Sequence, residues 1–141
     1  MTYTVSESAR KSGIGAHTLR FYDRQGLLPF VERDSNGIRK FKEEDFEWLQ
    51  IIKNLKATGV SIKKIKEYID LCFIGDAALE QRLKFVQEHK IKITRQMKEL
   101  EDFMKFIDWK IWYYNTAIEA GTESVHYQSD VVEYGVIPEK T

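Results

Sequence analysis

Apolar residues follow two different spacings along the 141-residue chain. Before residue 76 they form short clusters at helical spacing, separated by glycines such as Gly13 and Gly59. From Leu79 onward they recur every seven residues, with a second series four residues after the first. This periodicity predicts a mainly α fold. We expect a small helical domain over residues 1–75, one long helix over 76–119 and a short tail over 120–141.

The seven-residue repeat defines a continuous apolar seam. Its members are Leu79, Leu83, Val86, Ile93, Met97, Leu100, Met104, Ile107, Ile111 and Tyr114. A helix over 76–119 would be roughly 60 Å long at about 1.5 Å per residue, and such a stripe needs a partner in water. The same helix of a second copy is the simplest partner, so we predict a homodimer. Lys90 interrupts the seam, where it either fixes the register or extends its ammonium outward.

Two short helices are predicted before Gly26. The first is expected to begin at Ser6, whose hydroxyl can cap free backbone amides, and to end at Gly13. The second carries Leu19 and Tyr22 at a spacing that fits a steep crossing around a shared apolar contact. This pattern favours a helix-turn-helix, with an ordinary helical hairpin as the alternative.

The second helix also carries side chains suited to nucleic acid. His17, Thr18 and Arg20 are expected to point outward, toward base edges in a major groove. A guanidinium such as that of Arg20 can bind a phosphate or a guanine edge through two hydrogen bonds, and the Tyr22 hydroxyl can donate to a phosphate oxygen.

Residues 33–41 predict a β-hairpin that would serve as a wing. Asp34-Ser35-Asn36-Gly37 has the composition of a tight turn between two strands. Arg33 precedes this turn and Arg39 and Lys40 follow it, so the hairpin would bring three cations to one tip. Ile38 and Phe41 are expected to face the interior. A solvated loop is the alternative.

Two further helices complete the first domain. The third is expected to run to about Ala57, with Trp48, Ile51, Ile52 and Leu55 at core spacing. Ser61 is expected to cap the fourth. Lys63 and Lys64 lie in its first turn, where the helix dipole disfavours cations, and Lys66 follows. A bound phosphate would reverse that penalty; a solvated lysine face is the alternative.

Several of these segments, taken in order, resemble the MerR family of bacterial transcription regulators. They are Tyr3-Thr4-Val5-Ser6-Glu7, Thr18-Leu19-Arg20-Phe21-Tyr22, Gly26-Leu27-Leu28, Gly37-Ile38-Arg39 and Thr58-Gly59-Val60-Ser61-Ile62. The resemblance implies a winged helix-turn-helix, a long dimerisation helix paired antiparallel as a coiled coil, and a C-terminal effector region. It also implies a dimer that distorts an over-long promoter spacer, so that RNA polymerase engages both promoter elements through the distorted DNA.

Some positions depart from the family pattern. Gly15 stands where a capping serine is usual, and glycine caps nearly as well. Phe21 and Phe41 stand where tyrosine is frequent, and we expect both to pack without donating hydrogen bonds. One family branch senses aldehydes or oxidative stress through a cysteine in the third helix, but Asn54 occupies that position here. That mechanism therefore does not carry over.

Cys72 is the single cysteine of the chain. A soft-metal site needs two or three converging ligands, and the three histidines are widely scattered, so we predict no metal and no cofactor. Cys72 lies where the DNA-binding part meets the long helix. It is either a redox or electrophile sensor, with Lys66 nearby to favour the thiolate, or a small core residue.

Aromatic residues crowd the end of the long helix. Trp109, Trp112 and Tyr113 either line a pocket for a planar or apolar small-molecule effector, or pack against the DNA-binding half of the partner subunit. The tail alternates apolar with polar residues at Val125, Tyr127, Val131 and Tyr134, which predicts a short strand or a flap.

Charge agrees with a two-part chain. Residues 1–75 contain 13 cationic and 10 acidic residues, whereas residues 76–141 contain 9 and 12, so the parts carry +3 and −3. An excess of +3 is modest for DNA binding and needs cations on one face, doubled by dimerisation. Without a signal peptide or a membrane-length apolar run, we expect a cytoplasmic, nucleoid-associated protein that contacts no membrane.

Three functions fit these observations to different degrees. The first is a dimeric, sequence-specific transcription regulator. The second is a DNA-bending architectural or excision factor with the same winged fold and no effector switch, but such a factor does not need a rigid dimer that fixes half-site spacing. The third is an enzyme or a ligand carrier, and no phosphate loop, carboxylate pair or nucleophile with a placed base supports it.

Overall fold

The computed structural model describes residues 1–127 and 134–139. Its elements are β1 (Thr2–Tyr3), α1 (Val5–Ser12), α2 (Ala16–Arg24), β2 (Glu32–Arg33), β3 (Arg39–Lys42), α3 (Asp45–Ala57), α4 (Ile62–Ile74) and α5 (Leu79–Ala120), with 3₁₀ turns at Asp76–Ala78 and Glu123–His126. The chain divides into two compact units, Met1–Gln87 and Glu88–Thr141, and α5 contributes to both. The predicted mainly α fold, with a small wing and one long helix, is confirmed.

Helix α1 begins earlier than predicted because Thr4, and not Ser6, is its N-cap. The Thr4 hydroxyl accepts a hydrogen bond from the Glu7 amide, and the Glu7 carboxylate accepts one from the Thr4 amide, both at 3.1 Å. This reciprocal pair is a capping box. The prediction for Ser6 is wrong because that residue already lies in the first turn. The predicted end at Gly13 is confirmed by its left-handed φ of 74°.

The core of the first unit combines residues from and near α2, β3, α3 and α4. Its most buried apolar members, at most 1% exposed, are Leu19, Leu27, Phe41, Leu49, Ile52, Ile65 and Ile69. The α3 stripe differs from the predicted one, since Leu49 joins Ile52 and Leu55 while Trp48 and Ile51 are only half-buried. Trp48 instead forms an aromatic cluster with Phe30 and Phe73, whose ring centroids lie 5.9 and 5.3 Å from its own.

A three-stranded antiparallel sheet has the strand order β1-β3-β2. In the β2–β3 hairpin Glu32 pairs with Lys40 and Arg33 pairs with Arg39. Ile38 is 53% exposed, so the prediction that it faces the interior is wrong. It lies in the turn before β3, ahead of the point where Phe41 enters the core.

The start of α5 packs within the first unit. The Tyr68 ring of α4 stacks on the Phe85 ring of α5 at 4.6 Å between centroids, and Ala78 is buried just before α5 begins. These contacts explain why the first unit continues to Gln87, beyond the segment 1–75 assigned to DNA binding from sequence.

The seam residues of α5 form an exposed apolar stripe in the single chain. Nine of the ten predicted seam residues are between 43% (Val86) and 66% (Leu100) exposed, and Ile93 is half-buried. A stripe of this length on one helix is the kind of surface that a second helix covers.

In the second unit the tail packs on a different face of α5. Phe106, Trp109 and Tyr134 have ring centroids 4.8–5.9 Å apart, and the His126 ring stacks on Tyr113 at 4.3 Å. The His126 Nε2 also lies 2.7 Å from the Thr116 hydroxyl. The predicted strand or flap is not found at Val125, which lies in the 3₁₀ turn, and Val131 lies outside the described residues.

Candidate nucleic-acid interface

The outer face of α2 presents polar side chains because its inner face is committed to the core. Leu19 and Tyr22 are buried at 1% and 7% exposure, while His17 and Arg20 are exposed and Thr18 is half-buried. Gly15 caps the helix without a side-chain bond, so the amides at its N-terminus remain near the surface. The exposed pair supports the predicted outward orientation of His17 and Arg20.

The Tyr22 ring is largely buried, in agreement with its predicted place at the apolar contact with Leu19, and burial raises the pKa of its hydroxyl. The hydrogen bond from this hydroxyl to a phosphate stays a prediction. Phe21 differs from expectation, because it is 38% exposed although we expected it to pack. The buried face of α2 turns toward Tyr22 and leaves Phe21 beside the polar residues. Phe41 packs as expected, with no exposed surface.

The wing arginines are held by an acid of α2. Asp23 Oδ2 lies 2.7 Å from Arg33 Nη2 and 2.6 Å from Arg39 Nε. Arg33 also donates to the Gly37 carbonyl across the turn, at 3.1 Å. Two of the three cations predicted at this hairpin, Arg33 and Arg39, are therefore paired with an acid of α2. Lys40, on the opposite face of the hairpin, is half-buried. The pKa of Glu7 is lowered mainly by its hydrogen bonds with Thr4, and Lys40 adds only a small contribution.

The hairpin turn itself is closed by Asp34. Its carboxylate accepts hydrogen bonds from the Asn36 amide at 2.8 Å and the Ile38 amide at 3.0 Å. Gly37 has φ 78°, a backbone conformation that glycine adopts without steric cost. The predicted tight turn is therefore present, and it fixes where Arg33 and Arg39 leave the two strands.

The lysines of α4 separate into two groups. Ser61 caps the helix as predicted, accepting from the Lys64 amide at 3.2 Å, and the Lys63 and Lys64 side chains are exposed in its first turn. Lys66 instead pairs with Asp70 at 2.8 Å, and a Cβ placed on Gly26 would lie 2.9 Å from the Lys66 side chain. Lys66 thus packs beside the chain that leaves α2.

Two residues of this surface were not among the predicted site residues. Arg24 is exposed and follows Arg20 by four residues, so helical periodicity alone would have included it. Asp23 was missed because an acid is not expected at a surface that binds phosphates. The one sequence signal for Asp23 is that the following hairpin contains arginines without an acidic neighbour in sequence that accounts for both of them.

Cys72 is half-buried on α4. Burial, with a smaller contribution from Cys72, raises the pKa of the Tyr68 hydroxyl. Lys66, which we expected near the thiol, is paired with Asp70 instead. Among the described residues no group of three or more His, Cys, Asp or Glu side chains is placed to hold a metal ion.

The three predicted effector aromatics lie under or beside the tail of the same chain. Trp109 is 3% exposed and contacts Tyr134, while Tyr113 and Trp112 both contact His126. A cleft of about 280 Å³ remains in this region, lined by Trp109, Lys110, Tyr113, His126, Tyr127 and Tyr134. Much of the aromatic crowding is thereby explained by intrachain packing.

These elements define a protein of the winged helix-turn-helix class with a long C-terminal helix. The chain belongs to the MerR family. A family described as MerR HTH family regulatory protein matches residues 3–72, and one described as MerR, DNA binding matches residues 46–109. The relatives are transcription regulators, which are not enzymes. No helix within the described residues is long and apolar enough to cross a membrane.

Three similar proteins illustrate the relationship. An uncharacterized HTH-type transcriptional regulator of Haemophilus influenzae is 40% identical over 122 residues, which cover 86% of this chain and 90% of that protein. The HTH-type transcriptional regulator AdhR of Bacillus subtilis is 36% identical over 63% of this chain and 64% of its own length. The crystal structure of HiNmlR, a MerR family regulator lacking the sensor domain and bound to promoter DNA, is 39% identical with a TM-score of 0.81, over 89% of this chain and 99% of that one.

Proposed function

We propose that this protein is a dimeric, sequence-specific regulator that binds promoter DNA and distorts an over-long spacer, so that RNA polymerase engages both promoter elements. The observation that carries the proposal is the exposed face of α2, on which His17, Arg20 and Arg24 lie beside a wing whose arginines are anchored to the same helix. The similarity to a regulator bound to promoter DNA supports the part of the proposal that concerns promoter binding.

Within this interface the residues have two kinds of role. His17, Thr18 and Arg20 are proposed to contact base edges, because an α2 inserted in the major groove presents its outer face to them. Arg39, Lys63 and Lys64 are proposed to contact phosphates, with smaller contributions from Arg33, Lys40 and Lys66. Phosphate contacts set the register and the salt dependence, whereas base contacts set the sequence preference.

Dimerisation completes the proposal. The exposed seam of α5 is suited to a second copy, and a two-fold dimer presents two recognition helices to two half-sites at a fixed separation. The proposal gives no sensing role to Cys72, which is half-buried on α4.

Arg20→Ala tests the assignment of base contacts. We expect the preference for the bound sequence over random duplex to fall roughly 5- to 150-fold, because a lost bidentate base contact removes about 1–3 kcal/mol of discrimination. The measurement is fluorescence anisotropy with duplexes selected from a random library. Lys63→Ala is the matched control, expected to weaken all duplexes alike and to reduce the salt dependence. Equal weakening of all duplexes by Arg20→Ala would place Arg20 among the phosphate contacts.

The distortion mechanism is tested at the bound promoters. Genome-wide mapping should place the sites over promoter spacers that are longer than optimal, and shortening such a spacer base pair by base pair should make transcription in vitro independent of the protein. Bound sites scattered outside promoters would support the architectural or excision factor instead.

A further inference from the structure

We propose that Asp23 is a positioning residue that fixes the wing to the recognition helix and limits binding to non-cognate DNA. This inference rests on the proposed function, since it assigns a role within the same DNA-binding surface. Asp23 is the only acid within the described residues that pairs with both strands of the hairpin at once, through Arg33 on β2 and Arg39 on β3.

The geometry makes this acid a clamp between two elements. Arg33 and Arg39 are directly opposite each other in the antiparallel pair, so their side chains leave the same face of the hairpin. Both bind the same oxygen, Asp23 Oδ2, at 2.7 and 2.6 Å. Asp23 lies on the last turn of α2, one turn after Arg20. One carboxylate therefore sets the position of the wing relative to the helix that reads sequence.

The pairing is sheltered from solvent, which strengthens it. The side chains of Asp23 and Arg39 are 15% and 19% exposed, whereas that of Arg33 is 51% exposed. Charge-assisted hydrogen bonds in such a setting are stronger and less screened by salt than those of fully exposed pairs. The bond to Arg39 is the more buried of the two, so we assign it the main positioning effect.

The pairing also leaves part of Arg39 available for a phosphate. Asp23 engages the Nε of Arg39, and the two terminal nitrogens of this guanidinium form no hydrogen bond to another described residue. A guanidinium held at Nε presents its outer edge in a fixed direction, and ordering it before binding reduces the entropy lost on binding. Asp23 thus aims Arg39 at one phosphate position.

The same carboxylate reduces the charge that any duplex experiences. Two arginines paired with one aspartate carry a net charge of +1 instead of +2. Binding to random duplex depends almost entirely on cations that replace condensed counterions, with a salt dependence proportional to the number of phosphates contacted. The acid therefore weakens binding to random DNA while improving the fit to a correctly placed backbone.

Asp23→Asn tests this inference, because it keeps the side-chain shape and removes the charge. We expect binding to random duplex to become several-fold tighter, and its salt dependence steeper by about 1 for each added phosphate contact. We expect the ratio of affinities for the selected duplex and a shuffled duplex to fall about tenfold, since two charge-assisted hydrogen bonds are weakened. A loss of folding alone does not tighten binding to random DNA.

Three control variants separate the possible causes. Glu119→Gln makes the same charge change at an exposed position at the C-terminal end of α5 and should leave the ratio unchanged. Asp23→Glu keeps the charge but displaces it, so the ratio should fall with no change in salt dependence; this variant also serves if Asp23→Asn does not fold. The double variant Asp23→Asn/Arg33→Ala restores the wild-type charge. The salt dependence of binding should therefore return to the wild-type value, while the ratio of affinities for the selected and shuffled duplexes stays low.

The inference and the proposed function fail in different ways. Wild-type protein that shows no preference for any selected duplex would overturn the proposed function. A wild-type preference that persists unchanged in Asp23→Asn and Asp23→Glu would overturn the inference alone. Uniform weakening of selected and shuffled duplexes by both variants would also overturn it, because it would reduce Asp23 to a residue that only stabilises the fold.

Discussion

Glu43 joins three elements through a single carboxylate. It accepts hydrogen bonds from Lys11 of α1, at 2.8 and 2.9 Å, and from the Tyr3 hydroxyl of β1, just before α3 begins. The Lys11 ammonium also lies 4.6 Å from the Tyr3 ring centroid and 4.7 Å from that of Phe46. The hydrogen bonds from Lys11 and Tyr3 lower the pKa of Glu43, and the bond to Glu43 raises the pKa of Lys11.

Glu43→Gln should therefore lower stability at neutral pH more than at acid pH. A lowered pKa means that the unfolded chain binds the proton more tightly than the folded chain. The stabilisation is present above the ordinary value of 4.5 and is lost as the pH falls through the folded pKa. Urea unfolding between about pH 7 and about pH 3 measures the effect.

The matched control is Glu47→Gln, at an exposed position on the first turn of α3. Glu47→Gln removes the same charge, but Glu47 forms no bond to Lys11 or Tyr3. Its effect on stability should therefore vary less with pH than that of Glu43→Gln. Curves for wild type and Glu43→Gln that stay parallel down to about pH 3 would contradict a role for this carboxylate in stability.

The exposure of a single side chain could be predicted from sequence only where the periodicity of its own helix determines which face is buried. His17 and Arg20 are exposed as expected because Leu19 fixes the buried face of α2. Tyr22 is different, since its ring and hydroxyl suggest opposite locations and only the packed core decides between them. The pairing of Asp23 with Arg39 joins residues 16 apart in two elements, and no local spacing rule contains that information.

Helix α1 shows how an element boundary is decided by two competing caps. Thr4 and Ser6 are both good N-cap residues, but a capping box needs Glu or Gln three residues later. Glu7 meets that requirement for Thr4, whereas Ala9 stands three residues after Ser6. The signal was thus present in the sequence, and the reciprocal Thr4–Glu7 bonds confirm it in the structure.

Thr4→Ala should destabilise the protein by about 1 kcal/mol, the usual cost of losing a side-chain N-cap. For a folded unit of this size the melting temperature should fall by roughly 4–8 °C. Differential scanning calorimetry provides the measurement. Ser6→Ala is the control and should change the melting temperature little, because Ser6 is exposed within the first turn. A larger fall with Ser6→Ala than with Thr4→Ala would contradict the assigned cap.

At the scale of the whole molecule, the apolar seam of α5 could be predicted from sequence, whereas the contacts of the tail could not. The heptad repeat needs only the order of residues along one helix. The packing of Tyr134 on Trp109 joins segments separated by a turn at Gly121, whose φ is 77°. That contact depends on how the chain reverses, which residue periodicity does not specify.

Leu100→Asp combined with Met104→Asp should convert a dimer to a monomer. Both side chains are exposed in the single chain, at 66% and 58%, so each copy should still fold, while two carboxylates in an apolar helix pair are strongly unfavourable. Light scattering coupled to gel filtration gives the mass. Thr94→Asp with Lys98→Asp adds two carboxylates at exposed positions outside the seam and should remain dimeric.

A monomer should also lose its preference for two correctly spaced half-sites. Circular dichroism checks that helix content within each copy is retained. A Leu100→Asp/Met104→Asp variant with the mass of a dimer would show that copies associate through another surface.

The C-terminal part of α5 uses two faces for two purposes. Ile107, Ile111 and Tyr114 belong to the exposed seam, whereas Phe106, Trp109 and Tyr113 contact Tyr134 or His126 of the tail. The two sets touch at the edge contact between Tyr113 and Tyr114. Substitutions away from that contact can therefore change one set while the other is kept. Over evolutionary time the tail can be shortened, extended or exchanged while the surface proposed for pairing is retained, so descendants of this chain can diverge at the C-terminus and keep the proposed dimer.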